Sequence, residues 1–437
     1  MKKSIRFTAA FFCVMLSLLC FIQPVNALDA PQIEGVRAAI LYNVENEKII
    51  YALNENETVY PASSVKLMTA VVAYRALKDR LGETVTVTKE MLKGVTGYRI
   101  GLAEGEETTV ESLFYAMLLR GSNDSANVLA HLAYGSTAAF LEEMNRYAKE
   151  LGMENTLYLN TGGLHEEQMV TTVSDTLKIA LEFAKEEKLL EMSSVTKYIF
   201  PATNLAKQFT LYNRNYLVSR FQETKYYYEY AKGMNYGSTE ESGSTCTSVA
   251  SNGGLTYVCV VIGGEEDVAT NTDFALRTAS DLLRYGIEGF GYTDVIDTEK
   301  PVCEMPVTLS ANVDHVMLYP GRGLSVYLPS DVDVATDITV SRRLSFDSLA
   351  APVTKGTVVG YLNVYYGDAQ IGSVELITGD DVERNGFLYT LEVIKEYSRS
   401  RFFRATAISA VVLTVLYVFV SAAVRRRQAR RSRRYRF

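Results

Sequence analysis

The sequence predicts an α/β domain, a small all-β sandwich domain after it, and a C-terminal transmembrane helix. Three observations support this order. From about residue 28 to 297, strand-like and helix-like stretches alternate. From about 302 to 378 the helical period disappears and short β-rich runs alternate with turns. Residues 405–424 then run for 20 positions without a charge, about the length that crosses a bilayer as a helix.

In the first domain, residues 38–42 and 48–52 flank Asn43-Val44-Glu45-Asn46-Glu47 and read as a hairpin. Residues 64–77 read as a helix from the spacing of Val65, Met68, Val72 and Leu77. Residues 110–119, 123–133, 138–151 and 173–187 read the same way, and 271–285 supply a closing helix. Residues 245–262 read as a second hairpin turning at Asn252-Gly253, a dipeptide favoured in type I′ turns. That loop pairs Ser251 with Gly254 and sets Cys246 opposite Cys259. The two cysteines are then either a disulfide or two reduced, packed thiols. In the second domain the β-rich runs are 307–309, 316–319, 324–328, 338–341, 358–366 and 370–377.

The termini give the rest of the organisation. Lys2, Lys3 and Arg6 precede an apolar run and the small residues of Val25-Asn26-Ala27, the pattern of a secretory signal over residues 1–27. Residues 28–297 form the first domain and 298–384 the second. Residues 385–402 are an amphipathic linker, 403–424 the membrane helix and 425–437 a tail with eight arginines. Arginines next to a span mark the cytoplasmic side, so the two domains are expected outside. Between the leader and residue 401 stand 31 basic and 51 acidic residues, a net charge of −20. An acidic body argues against nucleic acid as a partner. Anionic headgroups account for the arginine tail. Outside the leader, which holds Cys13 and Cys20, only Cys246, Cys259 and Cys303 remain, too few for a disulfide scaffold. His131, His165 and His315 share no ligand spacing, so no metal, no cofactor and no Ser-His-Asp triad are expected.

The chemistry rests first on Pro61-Ala62-Ser63-Ser64-Val65-Lys66, a Ser-x-x-Lys at the mouth of a predicted helix. Residues three apart share a helix face, which brings Lys66 beside the Ser63 hydroxyl. A buried lysine loses its charge readily and can take the serine proton. A plain N-cap is the commoner fate of such a serine. Ser194-Val195-Thr196-Lys197 has the same spacing but no clear helix to open, and reads as chance.

In context this motif resembles the nucleophile segment of the D-alanyl-D-alanine carboxypeptidases, the low-molecular-mass penicillin-binding proteins. Residues 116–130 resemble that family's second-motif helix and 151–164 its Leu-Gly-Met-x-Asn-Thr stretch. Residues 249–264 resemble its hairpin after the third motif, and 351–374 the signature of its C-terminal β domain. The resemblance implies a serine acyl-enzyme fold of the penicillin-binding and β-lactamase type, an antiparallel five-stranded sheet flanked by helices. It implies peptidoglycan stem peptides as substrate and β-lactams as covalent inhibitors, with Ser63 as nucleophile, Lys66 as base and Asn123 orienting the intermediate.

Two motifs depart from the family. Aligned on Asn123-Asp124, the second places Gly121 where a serine is usual, with Ser122 as a possible substitute. Ser125-Ala126-Asn127 fits literally but lies four residues out of register. The third reads Asn235-Tyr236-Gly237 in place of Lys-Thr-Gly. In the family that lysine helps hold the substrate carboxylate, and a neutral donor makes a weaker bond than a charged one. Three functions therefore stay open: an active carboxypeptidase, a degenerate relative that binds peptidoglycan or a wall partner without turnover, and a β-lactamase, which the β domain and anchor disfavour. The cluster Tyr226-Tyr227-Tyr228 and Tyr230 reads as strand packing, with a sugar-stacking rim as the sharper alternative.

Overall fold

A computed structural model describes residues 30–220 and 223–434. The expected leader and residues 435–437 of the tail lie outside them. The chain folds as two units. The first ends at Tyr292 and takes in Tyr327–Val332; the second comprises Thr293–Val326 and continues from Asp333.

The first unit is built on a five-stranded antiparallel sheet. Its strands are β1 (Ala38–Asn43), β2 (Lys48–Leu53), β3 (Ala231–Thr239), β4 (Gly243–Asn252) and β5 (Leu255–Gly264), in the order β2-β1-β5-β4-β3. Period-two alternation serves two cores. Ala38, Ile40, Val258, Val260 and Ile262 face one; Ala39, Leu41, Tyr257, Cys259 and Val261 face the other. The central strands are therefore apolar on both sides.

The first core holds α1 (Val65–Leu77), α2 (Val110–Arg120), α3 (Asn123–Tyr134), α4 (Thr137–Glu150), α5 (Val173–Lys185) and α6 (Glu187–Ser194). The second holds α7 (Phe274–Gly289). In α1, 11 of 13 residues are buried, so this helix runs through the core and reaches solvent only at Arg75 and Ala76. The caps are regular: Thr109, Ser122, Ser136, Thr172 and Asp273 each accept the backbone N–H of the third residue on. The stretch expected as one helix over 173–187 breaks at Glu186, whose ψ of 87° is not helical.

The hairpin register differs from expectation. The loop between β4 and β5 is Gly253-Gly254, with φ of +58° and +82°, and Asn252 pairs with Leu255. A type I′ turn needs positive φ at both central residues, which two glycines adopt without steric penalty. Cys246 then pairs with Val261 and Ser248 with Cys259, and both thiols are free and buried. The tyrosine cluster precedes β3 and is not in a strand, contrary to the expectation of strand packing; Tyr226 and Tyr228 are buried in the second core, and Tyr227 and Tyr230 are half-buried.

The second unit is a six-stranded sheet. Its strands are β6 (Cys303–Thr308), β7 (His315–Pro320), β8 (Ile338–Leu344), β9 (Leu349–Ala350), β10 (Val358–Tyr366) and β11 (Ala369–Thr378), in the order β8-β10-β11-β7-β6-β9. Met305, Leu318, Val359, Leu362, Val364 and Leu376 fill its core. Asn385 caps α8 (Gly386–Arg399), which exposes Phe387, Leu391, Ile394 and Tyr397. Within α9 (Arg401–Arg434), Arg401–Gln428 is long and apolar enough to cross a membrane by length and composition, with an 18-residue stretch of mean hydropathy 2.4 inside it. The architecture is the predicted one: an α/β domain with an antiparallel sheet, a β domain and a candidate C-terminal membrane helix.

Cys246 and Cys259 should both alkylate fully when the chain is denatured without reductant. Protection of either in mass spectrometry would contradict the register described here.

Candidate active site

Ser63 sits in a 3-10 turn, Ala62–Ser64, that leads directly into α1. Ala62 adopts φ +43°, which turns the chain sharply before the helix. Ser63 is half-buried, and its hydroxyl bonds to no described residue. Lys66, one turn on, is 2 % exposed. Its Nζ donates to the carbonyl of Gly162 at 2.5 Å. Burial, and next the Arg214 guanidinium, pull its pKa down to about 7. At neutral pH roughly half the molecules then carry a neutral amine there, whereas a solvated lysine is almost wholly charged.

The loop Asn160-Thr161-Gly162-Gly163-Leu164 holds this turn in place. Asn160 Oδ1 accepts the N–H groups of Gly162, Gly163 and Leu164. Thr161 O accepts Thr69 Oγ1 of α1 at 2.8 Å. Gly163, at φ +79°, passes so close that a Cβ there would lie 1.8 Å from the Ala62 carbonyl oxygen. Only glycine permits that approach.

The second motif forms the corner between α2 and α3. Gly121 ends α2 in the left-handed region, φ +70°, and Ser122 is already the N-cap of α3. A Cβ at Gly121 would stand 4.0 Å from Lys66 Cε, so this position does face the lysine. The hydroxyl of Ser122 is committed elsewhere, to Asp124 and to Ser125 Oγ at 2.8 Å. Asn123 Nδ2 donates to Thr96 O at 2.9 Å, and its amide is wedged between Gly97 and Gly162. Its Oδ1 is buried without a partner. Asp124 accepts the N–H groups of Ile100, Gly101 and Leu102, which ties the neighbouring loop to α3. Asn127 is taken up by Met91 O and Thr137.

The third motif lies on β3, the edge of the sheet. Gly237 is directly under the nucleophile: a Cβ there would fall 2.1 Å from Ser63 Oγ. Asn235 shares that face, 2 % exposed, with Nδ2 unpartnered. Tyr236 alternates to the other face, where its phenol donates to Asp273 at 2.5 Å. Ser63, Lys66, Asn123, Asn235 and Gly237 thus converge, while Ser122 and Tyr236 are held by bonds of their own. Lys232 is exposed on the far side of an irregularity in β3. Ser194 closes α6 and Lys197 lies in the strand after it, so that second Ser-x-x-Lys shares no helix.

Sequence reasoning missed Arg214. Its flanking residues fix it: Asn213 Nδ2 bonds Ser193 O and Val195 O, and Asn215 Nδ2 bonds Ser248 Oγ. Its N–H reaches Leu119 O at the end of α2. The guanidinium stacks 5.4 Å from the Tyr236 ring centroid, and it forms no ion pair with a described carboxylate. The only signal in the sequence was an arginine bracketed by two asparagines, which carries no specific chemistry by itself.

Comparison with known proteins finds matches over both units. The family profile described as D-alanyl-D-alanine carboxypeptidase matches residues 25–266, and that of the penicillin-binding protein 5 C-terminal domain matches 290–384. D-alanyl-D-alanine carboxypeptidase DacC of Escherichia coli is 27% identical over 377 residues, covering 83% of this chain and 88% of that protein. DacF of Bacillus subtilis is 25% identical over 359 residues, covering 82% and 88%. The crystal structure of penicillin-binding protein 5 from Haemophilus influenzae shares the fold with a TM-score of 0.56 at 22% identity, covering 82% of this chain and all of that one.

With Ser63 as nucleophile and Lys66 as its base, the roles the resemblance implies, acylation by a penicillin should rise with pH through about 7 and then level off. Arg214 lowers the Lys66 pKa, so Arg214→Ala should move that rise to higher pH. An unchanged midpoint in stopped-flow acylation would contradict the electrostatic coupling.

Proposed function

The chain belongs to the D-alanyl-D-alanine carboxypeptidase family, and from that premise we propose that it trims the terminal D-alanine from peptidoglycan stem peptides through an acyl-enzyme on Ser63. The observation that carries this is the free Ser63 hydroxyl one helical turn from a lysine whose pKa burial lowers to about 7.

Neutral Lys66 takes the Ser63 proton as Oγ attacks the carbonyl between the two D-alanines. The C–N bond breaks and the proton passes to the departing amine. Water then attacks the Ser63 ester, restoring the hydroxyl and releasing the shortened stem. Asn123, fixed by Thr96 and two glycines, orients the acyl part.

The carboxylate of the departing D-alanine needs a cation, and Asn235 has none. Arg214 takes that role in this reading. It is near enough to Lys66 to shift it, lies over Tyr236, and is free of described acidic partners. A planar guanidinium meets a carboxylate with two parallel bonds. Asn235 Nδ2, buried and unpartnered, supplies a neutral donor beside it. The domains are placed outside the membrane, with α9 as the anchor and its arginine end inside, following the charge rule for flanking segments.

A penicillin should leave a stable mass adduct on the wild type and none on Ser63→Ala. Absence of an adduct on the folded wild type would favour a non-catalytic wall-binding role. Arg214→Ala should lower kcat/KM roughly 10- to 100-fold on a peptide with a free terminal carboxylate and much less on its amide, the worth of a hydrogen bond to a charged group. The double change Asn235→Lys with Tyr236→Thr should restore part of that loss. Equal effects on acid and amide would show that Arg214 does not read the carboxylate.

A further inference from the structure

We propose that the β domain carries a binding face for the glycan strand of peptidoglycan, centred on Tyr361. The choice of glycan rests on the reading above that the chain works on peptidoglycan.

The face follows from strand alternation in the second unit. Leu362, Val364, Val374 and Leu376 turn into the core, so Tyr361 and Asn363 of β10 and Ser373 and Glu375 of β11 turn to the opposite side. Cross-strand pairing then lines up two rows. Arg343 of β8 pairs with Tyr361 of β10, which pairs with Glu375 of β11. The Glu375 carbonyl accepts the N–H of Gly321, which places Arg322 at the end of that row. The second row is Ser341, Asn363 and Ser373. Three strand spacings give the first row a length of roughly 14 Å, room for a few sugars end to end. Gly321, Arg322, Tyr361, Ser373 and Glu375 line a depression of about 450 Å³.

The chemistry of this array suits an amino-sugar polymer. Tyr361 is 47% exposed, and its ring stacks on no described aromatic or cation, so it presents a flat apolar surface to solvent. The C–H face of a sugar packs on such a ring while its hydroxyls reach polar neighbours. Ser373 Oγ donates to Asn363 Oδ1 at 2.9 Å, which holds that amide oriented and leaves its Nδ2 free among the described residues. Arg322, Arg343 and Glu375 form no ion pair with a described residue, so all three are available. Charge favours the same ligand. Residues 298–384 hold 12 acidic and 6 basic residues, yet two of the six, Arg322 and Arg343, lie in this one row. Muramyl sugars freed of their stem carry lactyl carboxylates that such arginines pair with.

The test is retention of the detergent-solubilised full-length chain on immobilised glycan strands from which an amidase has removed the stem peptides. Those strands offer the Ser63 site no substrate. Wild type and Ser63→Ala should be retained equally. Tyr361→Ala with Arg343→Ala should weaken retention about 10-fold or more, as expected for losing one stacking and one charge-assisted contact. Both replaced side chains are exposed, and an unchanged thermal melt and an unchanged penicillin adduct would show that the fold and the Ser63 site are intact. Failure of the wild type to bind, or equal binding of the double variant, would overturn the proposal. So would displacement by polyphosphate but not by neutral chitin oligosaccharides, since the face would then read charge and not sugar.

Discussion

A lysine held out of water is the constraint around which the catalytic unit is arranged. Lys66 lies on a helix with almost no solvent face, and its amine finds one backbone carbonyl, that of Gly162, as acceptor. Burying an ammonium with so little compensation is expensive, and the chain answers by letting the proton go. The neighbouring structure follows from that. Asn160 shapes the loop that presents the Gly162 carbonyl, Gly163 lets that loop press on the serine turn, and Asp124 ties down the loop on the other side. A charged lysine in the same place would call for a carboxylate, and none of the described residues supplies one to it.

The departures from the family motifs are connected through the same electrostatics. Gly121 removes a hydroxyl beside Lys66, and Asn235 removes a cation. Arg214 remains as the cation that acts on the lysine, and it sits over Tyr236, whose phenol is anchored to Asp273. In the proposed reading Arg214 carries the positive charge that the third motif lacks. The Tyr236 ring lies under that guanidinium, and its hydroxyl is held by Asp273 on the other face of the sheet.

Much of this was legible beforehand because it is local. The period of apolar residues located the helices and central strands. Ser122 was weighed as a catalytic substitute, whereas its hydroxyl is used by the cap of α3. The turn between β4 and β5 was misplaced by one residue, because Asn252-Gly253 and Gly253-Gly254 are both good type I′ candidates. Only the pairing of whole strands selects between them.

The amino-acid sequence by itself determined the family, the order of the two domains and the candidate anchor, and Ser63 with Lys66 as one turn of helix. Each is written in spacing and composition over a short stretch. The tertiary structure decided which way Tyr236 points, that Asn235 is an orphaned donor, and that Arg214 is the cation near Lys66. It also decided that Arg343, Tyr361 and Glu375 share a row. These are relations between residues far apart in the chain. They depend on strand register and burial, which are settled by the packing of the whole unit and by no segment alone.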